Sequence, residues 1–219
     1  MEQISSSRWK RQKIASTGKL RIYLIAFSSL PCFSMSEIIA PHLIWQAGRM
    51  AESVRTMATA SLCSLVQGTS TQSSSKVVES LMVPLVSLID DHNIATRSYT
   101  LKILQYVGPL KLEQLKTLAS GLLSRLDDPG NEVREKAAKC LGRLELANTE
   151  EDEALEPWES FLQHVLSTML IHLESPEINL RESLMDSIGS LGRKYPKVYQ
   201  TSLDESTISR DLKCKLTQT

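Results

Sequence analysis

The sequence is poor in aromatic residues and carries no excess charge of either sign. Aromatic side chains make up 5% of the 219 residues, and 25 lysines and arginines balance 25 aspartates and glutamates. A balanced charge provides no long-range attraction for nucleic acid or for an anionic membrane surface. We therefore expect neither a nucleic-acid partner nor a membrane partner. Few aromatic rings, with leucine and alanine in their place, are typical of closely packed helices.

Motifs for catalysis or metal binding are also missing. Cys32, Cys63, Cys140 and Cys214 are far apart and form no Cys-x-x-Cys pair, and the histidines have no metal-ligand spacing relative to them. Cys63 and Cys140 fall beside apolar stripes, which predicts buried free thiols in a reducing compartment. No phosphate-binding loop is present. We expect no catalytic residue, no metal, no cofactor and no small-molecule substrate, and therefore a protein that is not an enzyme.

What the chain does contain is a repeated spacing, in which an apolar residue and an acid are followed by an arginine seven positions after the acid. The three copies pair Asp90 with Arg97, Asp127 with Arg134 and Glu174 with Arg181. A fourth copy at Arg55 has Gly48 in the position of the acid, and the four arginines are 42, 37 and 47 residues apart. Self-similarity at a period of about 40 residues predicts a repeat array.

Each copy is predicted to fold as two helices around a short turn. In the third copy, Asp127-Asp128-Pro129-Gly130 separates two stripes of apolar residues at helical spacing. The expected helix pairs are 37–47 with 52–66, 77–89 with 94–107, 112–126 with 131–145, and 158–173 with 177–193. The fold class is therefore all-α, an α-solenoid of helix pairs that form an armadillo-like superhelix. Leu104, Leu141 and Ile188 should be deeply buried equivalents.

The remaining segments do not follow the repeat. Residues 1–36 precede the four repeats, which we place at 37–196, and residues 197–219 are predicted to be a polar tail. The basic and apolar stretches within 1–36 leave a signal peptide or nuclear targeting open, but an alternative start fused to the end of a longer repeat protein fits better. Residues 19–30 are then expected to dock weakly on the first repeat as a replacement cap, with residual self-association. Residues 67–76 are expected to be a flexible polar loop, and 148–156 an acidic connector.

Two stretches resemble the HEAT-repeat family. Residues 81–91 are similar to its first helix, including the proline, and residues 131–144 are close to its second-helix consensus. In such repeats the turn acid and the helix arginine form a ladder between neighbouring units. The resemblance therefore implies that Asp90, Asp127 and Glu174 meet Arg97, Arg134 and Arg181.

A narrower resemblance is carried by three blocks at residues 41–49, 122–128 and 171–177. They are similar to the late repeats of the HEAT-repeat dynein axonemal assembly factor family, over roughly 37–200. The resemblance implies a cytoplasmic, non-enzymatic scaffold that helps to pre-assemble axonemal dynein arms for motile cilia. It also implies contact with dynein subunits such as an intermediate chain. The alternative is a generic HEAT-repeat adaptor of the phosphatase-scaffold or transport-receptor type.

Overall fold

The structure is a computed structural model that describes residues 37–147 and 155–216. The expectations for residues 1–36, including the cap, lie outside the described residues, as does most of the acidic connector. The described helices are α1 (Arg49–Gly68), α2 (Thr71–Ser80), α3 (Met82–Leu88), α4 (Ile94–Leu104), α5 (Leu112–Ser124), α6 (Asn131–Leu141), α7 (Leu155–His172), α8 (Ile178–Lys194), α9 (Pro196–Glu205) and α10 (Arg210–Leu216).

The helices stack as an α-solenoid, as the sequence predicts. The second helix of each repeat lies beside the second helix of the next, in the order α1, α4, α6, α8, and the first helices α3, α5, α7 and α9 form the other layer. The core lies between the layers, where Leu104, Leu141 and Ile188 are fully buried, as predicted from their shared position in the repeat. Within residues 37–147 and 155–216 the β-structure amounts to one isolated bridge between Leu110 and Leu146.

Turn residues set where the helices begin and end. Asn93 caps α4, because its Oδ1 accepts hydrogen bonds from the backbone N–H groups of Ala95 (2.9 Å) and Thr96 (3.4 Å). The first helix of the second repeat is divided into α2 and α3 at Leu81. Pro84 accounts for this break, since its ring excludes a helical hydrogen bond to the carbonyl four residues earlier, at Ser80.

The helix predicted at 37–47 is wrong over most of its length. Residues 37–39 are helical and are followed by a 3₁₀ turn at Ala40–His42, after which the chain is irregular up to Gly48. Pro41 has no N–H to continue a helical ladder. Gly48 adopts φ 105°, a conformation that favours glycine, immediately before α1 begins.

The flexible loop predicted at 67–76 is also wrong, because α2 begins at Thr71. Ser70 caps this helix by accepting a hydrogen bond from the N–H of Ser73 at 3.4 Å. Ser74 is buried, and its hydroxyl donates to the carbonyl of Val66 at 2.7 Å. The serines and threonines therefore serve as caps and ties to the end of α1, which polarity alone does not reveal.

The segment 197–219 is more ordered than a polar tail. It contains most of α9 and all of α10, and Ile208 and Leu216 are buried against the last repeat. The hydroxyl of Tyr199 donates to the carbonyl of Leu216 at 2.9 Å. The helix pair α9 and α10 therefore continues the stack beyond the fourth repeat.

A close approach of α6 and α8 leads to a prediction for Gly142. A Cβ atom at this position would lie 2.6 Å from the Cα of Ser187, and the φ of −65° would itself suit alanine. Gly142→Ala should therefore lower the free energy of unfolding by about 1–3 kcal/mol through overpacking. Gly68→Ala is the matched control, because nothing lies within 4 Å of its added Cβ. Equal urea midpoints for the two variants would contradict the close packing of these helices.

Candidate functional site

A ladder of ion pairs connects each repeat to the next along the turns. Arg55 pairs with Asp91, Arg97 with Asp128, and Arg134 with Glu177. In the central rung, Nη2 of Arg97 donates to Oδ1 of Asp128 at 2.9 Å, and its Nε lies 2.7 Å from Oδ2. Both side chains of this rung are buried. Each rung joins an arginine of one repeat to the turn acid of the following repeat.

The same arginines also bind their own turns. Nη1 of Arg97 donates to the carbonyl of Asp91 at 2.7 Å, and Nη1 of Arg134 donates to the carbonyl of Asp128 at 2.8 Å. Nη1 of Arg181 reaches the carbonyl of Ser175 at 2.6 Å. Each guanidinium therefore fixes the turn of its own repeat. Those of Arg55, Arg97 and Arg134 also fix the turn of the next repeat. Within residues 37–147 and 155–216, no carboxylate pairs with Arg181.

The acids predicted for the ladder are not the ones that form it. Asp90 is exposed and lies 3.2 Å from Arg125, Asp127 is exposed with its Oδ1 4.0 Å from Nε2 of His172, and Glu174 is exposed. The ladder uses Asp91 and Asp128, the next residue in each turn, and Glu177 in the last. The arginine predictions at Arg97 and Arg134 agree with the observed pairs, whereas the prediction of an acid for Arg181 is wrong within the described residues.

Turn geometry explains why the ladder uses Asp91 and Asp128 rather than the preceding residues, Asp90 and Asp127. Oδ1 of Asp91 accepts a hydrogen bond from the N–H of Asn93 at 2.8 Å, and Oδ1 of Asp128 accepts one from the N–H of Gly130 at 2.9 Å. These are Asx turns, which hold the carboxylate against the backbone and toward the preceding arginine. The pattern Asp-x-Asn or Asp-x-Gly before the second helix is the sequence signal that identifies these acids.

Opposing effects set the pKa of Asp128. Burial of the carboxyl acts to raise its pKa, but the hydrogen bonds from Arg97 and from the N–H of Gly130, with the charges of Arg97 and Arg125, outweigh it. The net pKa lies below the usual value of 3.8. The carboxylate therefore remains ionised at neutral pH, and the rung is a true ion pair.

A second polar cluster lies between α4 and α6. Nζ of Lys136 is 2.5 Å from Oγ of Ser98 and also bonds Glu132, which Lys102 approaches at 3.9 Å. Burial lowers the pKa of Lys136, and its hydrogen bond lowers the pKa of Glu132. Every member has a partner, so the cluster is a second tie between the two helices rather than an open site.

The cysteines at 63 and 140 are buried free thiols, as expected. Burial raises the pKa of Cys140 to about 12, and its Sγ donates to the carbonyl of Leu101 at 3.1 Å. Burial also raises the pKa of Cys63. Both thiols therefore remain protonated at neutral pH, a form that is neither nucleophilic nor metal-binding.

Charged side chains recur on the second helices at fixed positions after the ladder arginines. Lys102, Lys139 and Asp186 each lie five residues after a ladder arginine and form a row across α4, α6 and α8. Glu135 and Glu182, one residue after their arginines, form the neighbouring row. We call these two rows the second-helix face, which carries charges of both signs at regular intervals.

Residues 37–147 and 155–216 hold no group of three or more His, Cys, Asp or Glu side chains arranged to bind a metal ion. Over the same ranges, no helix has the length and apolar character needed to cross a membrane.

Curated proteins match the chain over most of its length. "Dynein axonemal assembly factor 5" of Drosophila melanogaster is 34% identical over 170 residues, which cover 76% of this chain and 20% of that protein. The Homo sapiens protein of the same name is 29% identical over 157 residues, 68% of this chain and 18% of that protein. The chain thus spans about a fifth of the length of these relatives. No protein-family model matches the sequence.

Solved structures of repeat proteins share the fold. An engineered protein aligns with a TM-score of 0.57 at 15% identity, over 84% of this chain and 76% of that one. A computationally designed armadillo repeat protein for modular peptide recognition aligns with a TM-score of 0.54 at 17% identity, over 82% and 78%. These likenesses establish the armadillo-like solenoid.

Proposed function

Because this chain is an armadillo-like, HEAT-like repeat protein and a relative of the dynein axonemal assembly factor 5 proteins, we propose that it assists the assembly of axonemal dynein. The observation that carries the proposal is the 34% identity over 170 residues, which extends across most of the chain rather than over one repeat. Shared core periodicity alone would not favour this relative over other repeat proteins. The proposed role is that of a non-enzymatic scaffold in the cytoplasm, acting before dynein arms reach the motile cilium.

The proposed mechanism is binding by an extended surface. Stacked helix pairs present a long face, and such faces suit large partners that a single pocket could not hold. The second-helix face offers Lys102 and Lys139 beside Glu182 and Asp186, so a partner with complementary charges would bind in one register. We propose that this partner is a dynein subunit, such as an intermediate chain, which the scaffold holds while other subunits join.

The ladder supports this role by making the surface stiff. Buried ion pairs between repeats, such as Arg97 with Asp128, fix the rotation of one helix pair relative to the next. A surface that is already ordered before binding loses less conformational entropy when the partner arrives.

The test is affinity purification of the full chain from multiciliated cells, with identification of the dynein chains that co-purify. The wild-type chain should recover axonemal dynein subunits. The double variant Glu182→Lys/Asp186→Lys reverses two exposed charges on α8 and should reduce that recovery about tenfold or more, equivalent to roughly 1.4 kcal/mol of binding free energy. Both side chains are exposed, so circular dichroism of the variant should match the wild type.

Glu79→Lys/Glu113→Lys is the matched control. It makes the same change of net charge at exposed positions of α2 and α5, in the layer of first helices. Equal losses with both double variants would contradict binding through the second-helix face. Recovery of phosphatase or transport-receptor components instead of dynein chains would overturn the assembly role and favour the generic adaptor.

A further inference from the structure

Ser175 occupies the place in the fourth repeat that a ladder aspartate occupies in the two repeats before it. Asp91, Asp128 and Ser175 each lie six residues before the ladder arginine of their own repeat. The two aspartates accept a hydrogen bond from the N–H two residues later, at 2.8 and 2.9 Å. Oγ of Ser175 accepts the corresponding bond from the N–H of Glu177, at 3.4 Å. The fourth repeat therefore keeps the turn but has a neutral hydroxyl in place of the carboxylate.

The arginine of the third repeat is bound differently because of this hydroxyl. Between the second and third repeats, Nε of Arg97 lies 2.7 Å from Oδ2 of Asp128. Between the third and fourth, Nε of Arg134 is buried and has no hydrogen-bond partner within the part of the chain that the structure describes. Its Nη2 donates instead to Glu177, two residues beyond Ser175. An anionic group on Ser175 would supply Arg134 with the acceptor that Asp128 supplies to Arg97.

The residue after this serine is a proline. Ser175-Pro176 is the single Ser-Pro or Thr-Pro pair in the sequence, and this pair is what proline-directed protein kinases recognise. Glu174 and Pro176 are exposed, and Ser175 is partly exposed, in the turn between α7 and α8. Pro176 also disfavours helical geometry at the residue before it, which keeps Ser175 outside α8. The turn therefore presents both the hydroxyl and the recognition residue at the surface.

We propose that Ser175 is a phosphorylation site for a proline-directed kinase, and that its phosphate completes the ladder by binding Arg134. The kinase transfers the γ-phosphoryl group of ATP to Oγ of Ser175, ADP leaves, and the hydroxyl proton is released. The phosphate carries about 1.5 to 2 negative charges at neutral pH and has three strong acceptor oxygens. Arginine binds such a group by charge-assisted hydrogen bonds that are often bidentate.

A second arginine lies against the same turn. Nη1 of Arg181 donates to the carbonyl of Ser175 at 2.6 Å, so its guanidinium is close to the position of the phosphate. The N-terminus of α8, with its positive dipole end, also favours a negative charge there. Glu177 would lose Arg134 but is partly exposed, so water can solvate its carboxylate. The phosphate would therefore tie the third repeat to the fourth more tightly, and this effect is independent of the role in dynein assembly.

The modification is tested by treating the full chain with ATP and a cyclin-dependent or a mitogen-activated protein kinase, each checked on a standard peptide substrate. Intact mass should show one added phosphoryl group. Ser175→Ala and Pro176→Ala should each abolish it, because one removes the acceptor and the other the recognition residue. A chain that both kinases leave unmodified would overturn the inference, as would phosphorylation that persists in Ser175→Ala.

The position of the phosphate is tested by comparing phosphorylated and unphosphorylated protein in three backgrounds. Phosphorylation should raise the Tm of the wild type by about 2–4 °C, through the added arginine–phosphate bonds. The gain should be lost in Arg134→Gln, whatever the Tm of that variant before phosphorylation. Arg143→Gln is the matched control, since Arg143 is exposed just beyond the other end of α6, and it should keep the whole gain.

Phosphorus NMR provides a readout that a change in packing alone would not move. The second pKa of the phosphate should lie below its usual value of about 6 in the wild type, because a nearby guanidinium favours the dianion. In Arg134→Gln this pKa should rise, and in Arg143→Gln it should stay as in the wild type. An unchanged Tm on phosphorylation, an equal gain in Arg134→Gln, or a pKa that this variant does not raise would overturn the inference.

Discussion

Asp128→Asn should lower the free energy of unfolding by about 3–5 kcal/mol, the range for breaking a buried ion pair on one side. Asparagine retains Oδ1, so it can keep the Asx turn with the N–H of Gly130. What it removes is the charge, which leaves the buried guanidinium of Arg97 without its counterion. Urea denaturation followed by circular dichroism measures the loss, and an unchanged m-value would show that the unfolded state is the same.

Asp127→Asn is the control one residue away. The side chain of Asp127 is 81% exposed and that of Asp128 is 0% exposed, so the neighbouring change should alter stability by no more than about 0.5 kcal/mol. Equal effects at the two positions would contradict the observed register of the ladder.

A pH series provides a second check on the same rung. The pKa of Asp128 is lowered in the folded state, so its contribution is complete above the unfolded value near 3.8 and is lost as the pH falls through the folded pKa. The difference in stability between wild type and Asp128→Asn should therefore be constant at neutral pH and should shrink below about pH 3.8. A difference that grows on acidification would show that the carboxylate is not the stabilising form.

Leu141→Ala should lower the free energy of unfolding by about 2–5 kcal/mol, through lost burial and a residual cavity. Leu141 is fully buried at the end of α6, in the same position of the repeat as Leu104 and Ile188. In a solenoid each repeat is supported by its neighbours, so a cavity in the third repeat weakens the packing on both sides. Chemical denaturation of the full chain measures the effect.

Lys139→Ala serves as the control on the same helix. Lys139 is exposed, and alanine is a good helix former, so stability should change by less than about 0.5 kcal/mol. A loss below about 1 kcal/mol for Leu141→Ala would show that the side chain is not part of the core.

Buried side chains were the most predictable part of this protein. Helical periodicity identifies which residues of a repeat face inward, and Leu104, Leu141 and Ile188 follow that rule because apolar burial drives the packing in every repeat. The arginines were predictable for a similar reason, since Arg97 and Arg134 recur at a fixed position relative to that stripe. The second-helix face was less predictable, because no periodic rule separates a surface lysine that binds a partner from one that is merely solvated.

The helix boundaries were less predictable where polar side chains cap a helix or bond to the backbone nearby. Ser70 and Ser74 turn an apparent loop into α2, because one caps the helix and the other satisfies a carbonyl of α1. Pro41 and Gly48 end the first predicted helix early. In each case a hydrogen bond or a backbone conformation at one or two residues outweighed the propensity of the segment.

The sequence by itself determined the repeat, the all-α class, the core positions and two arginines of the ladder, Arg97 and Arg134, because these depend on spacing along a helix, which is fixed at 3.6 residues per turn. Only the tertiary structure decided which acid completes each rung. Asp127 and Asp128 are chemically identical neighbours, and the direction of each side chain depends on the turn and on the position of the preceding repeat. The tertiary structure also decided that Val54 is 42% exposed where its equivalents Thr96, Val133 and Leu180 are buried. That difference arises from contacts between repeats, which the spacing within a repeat does not encode.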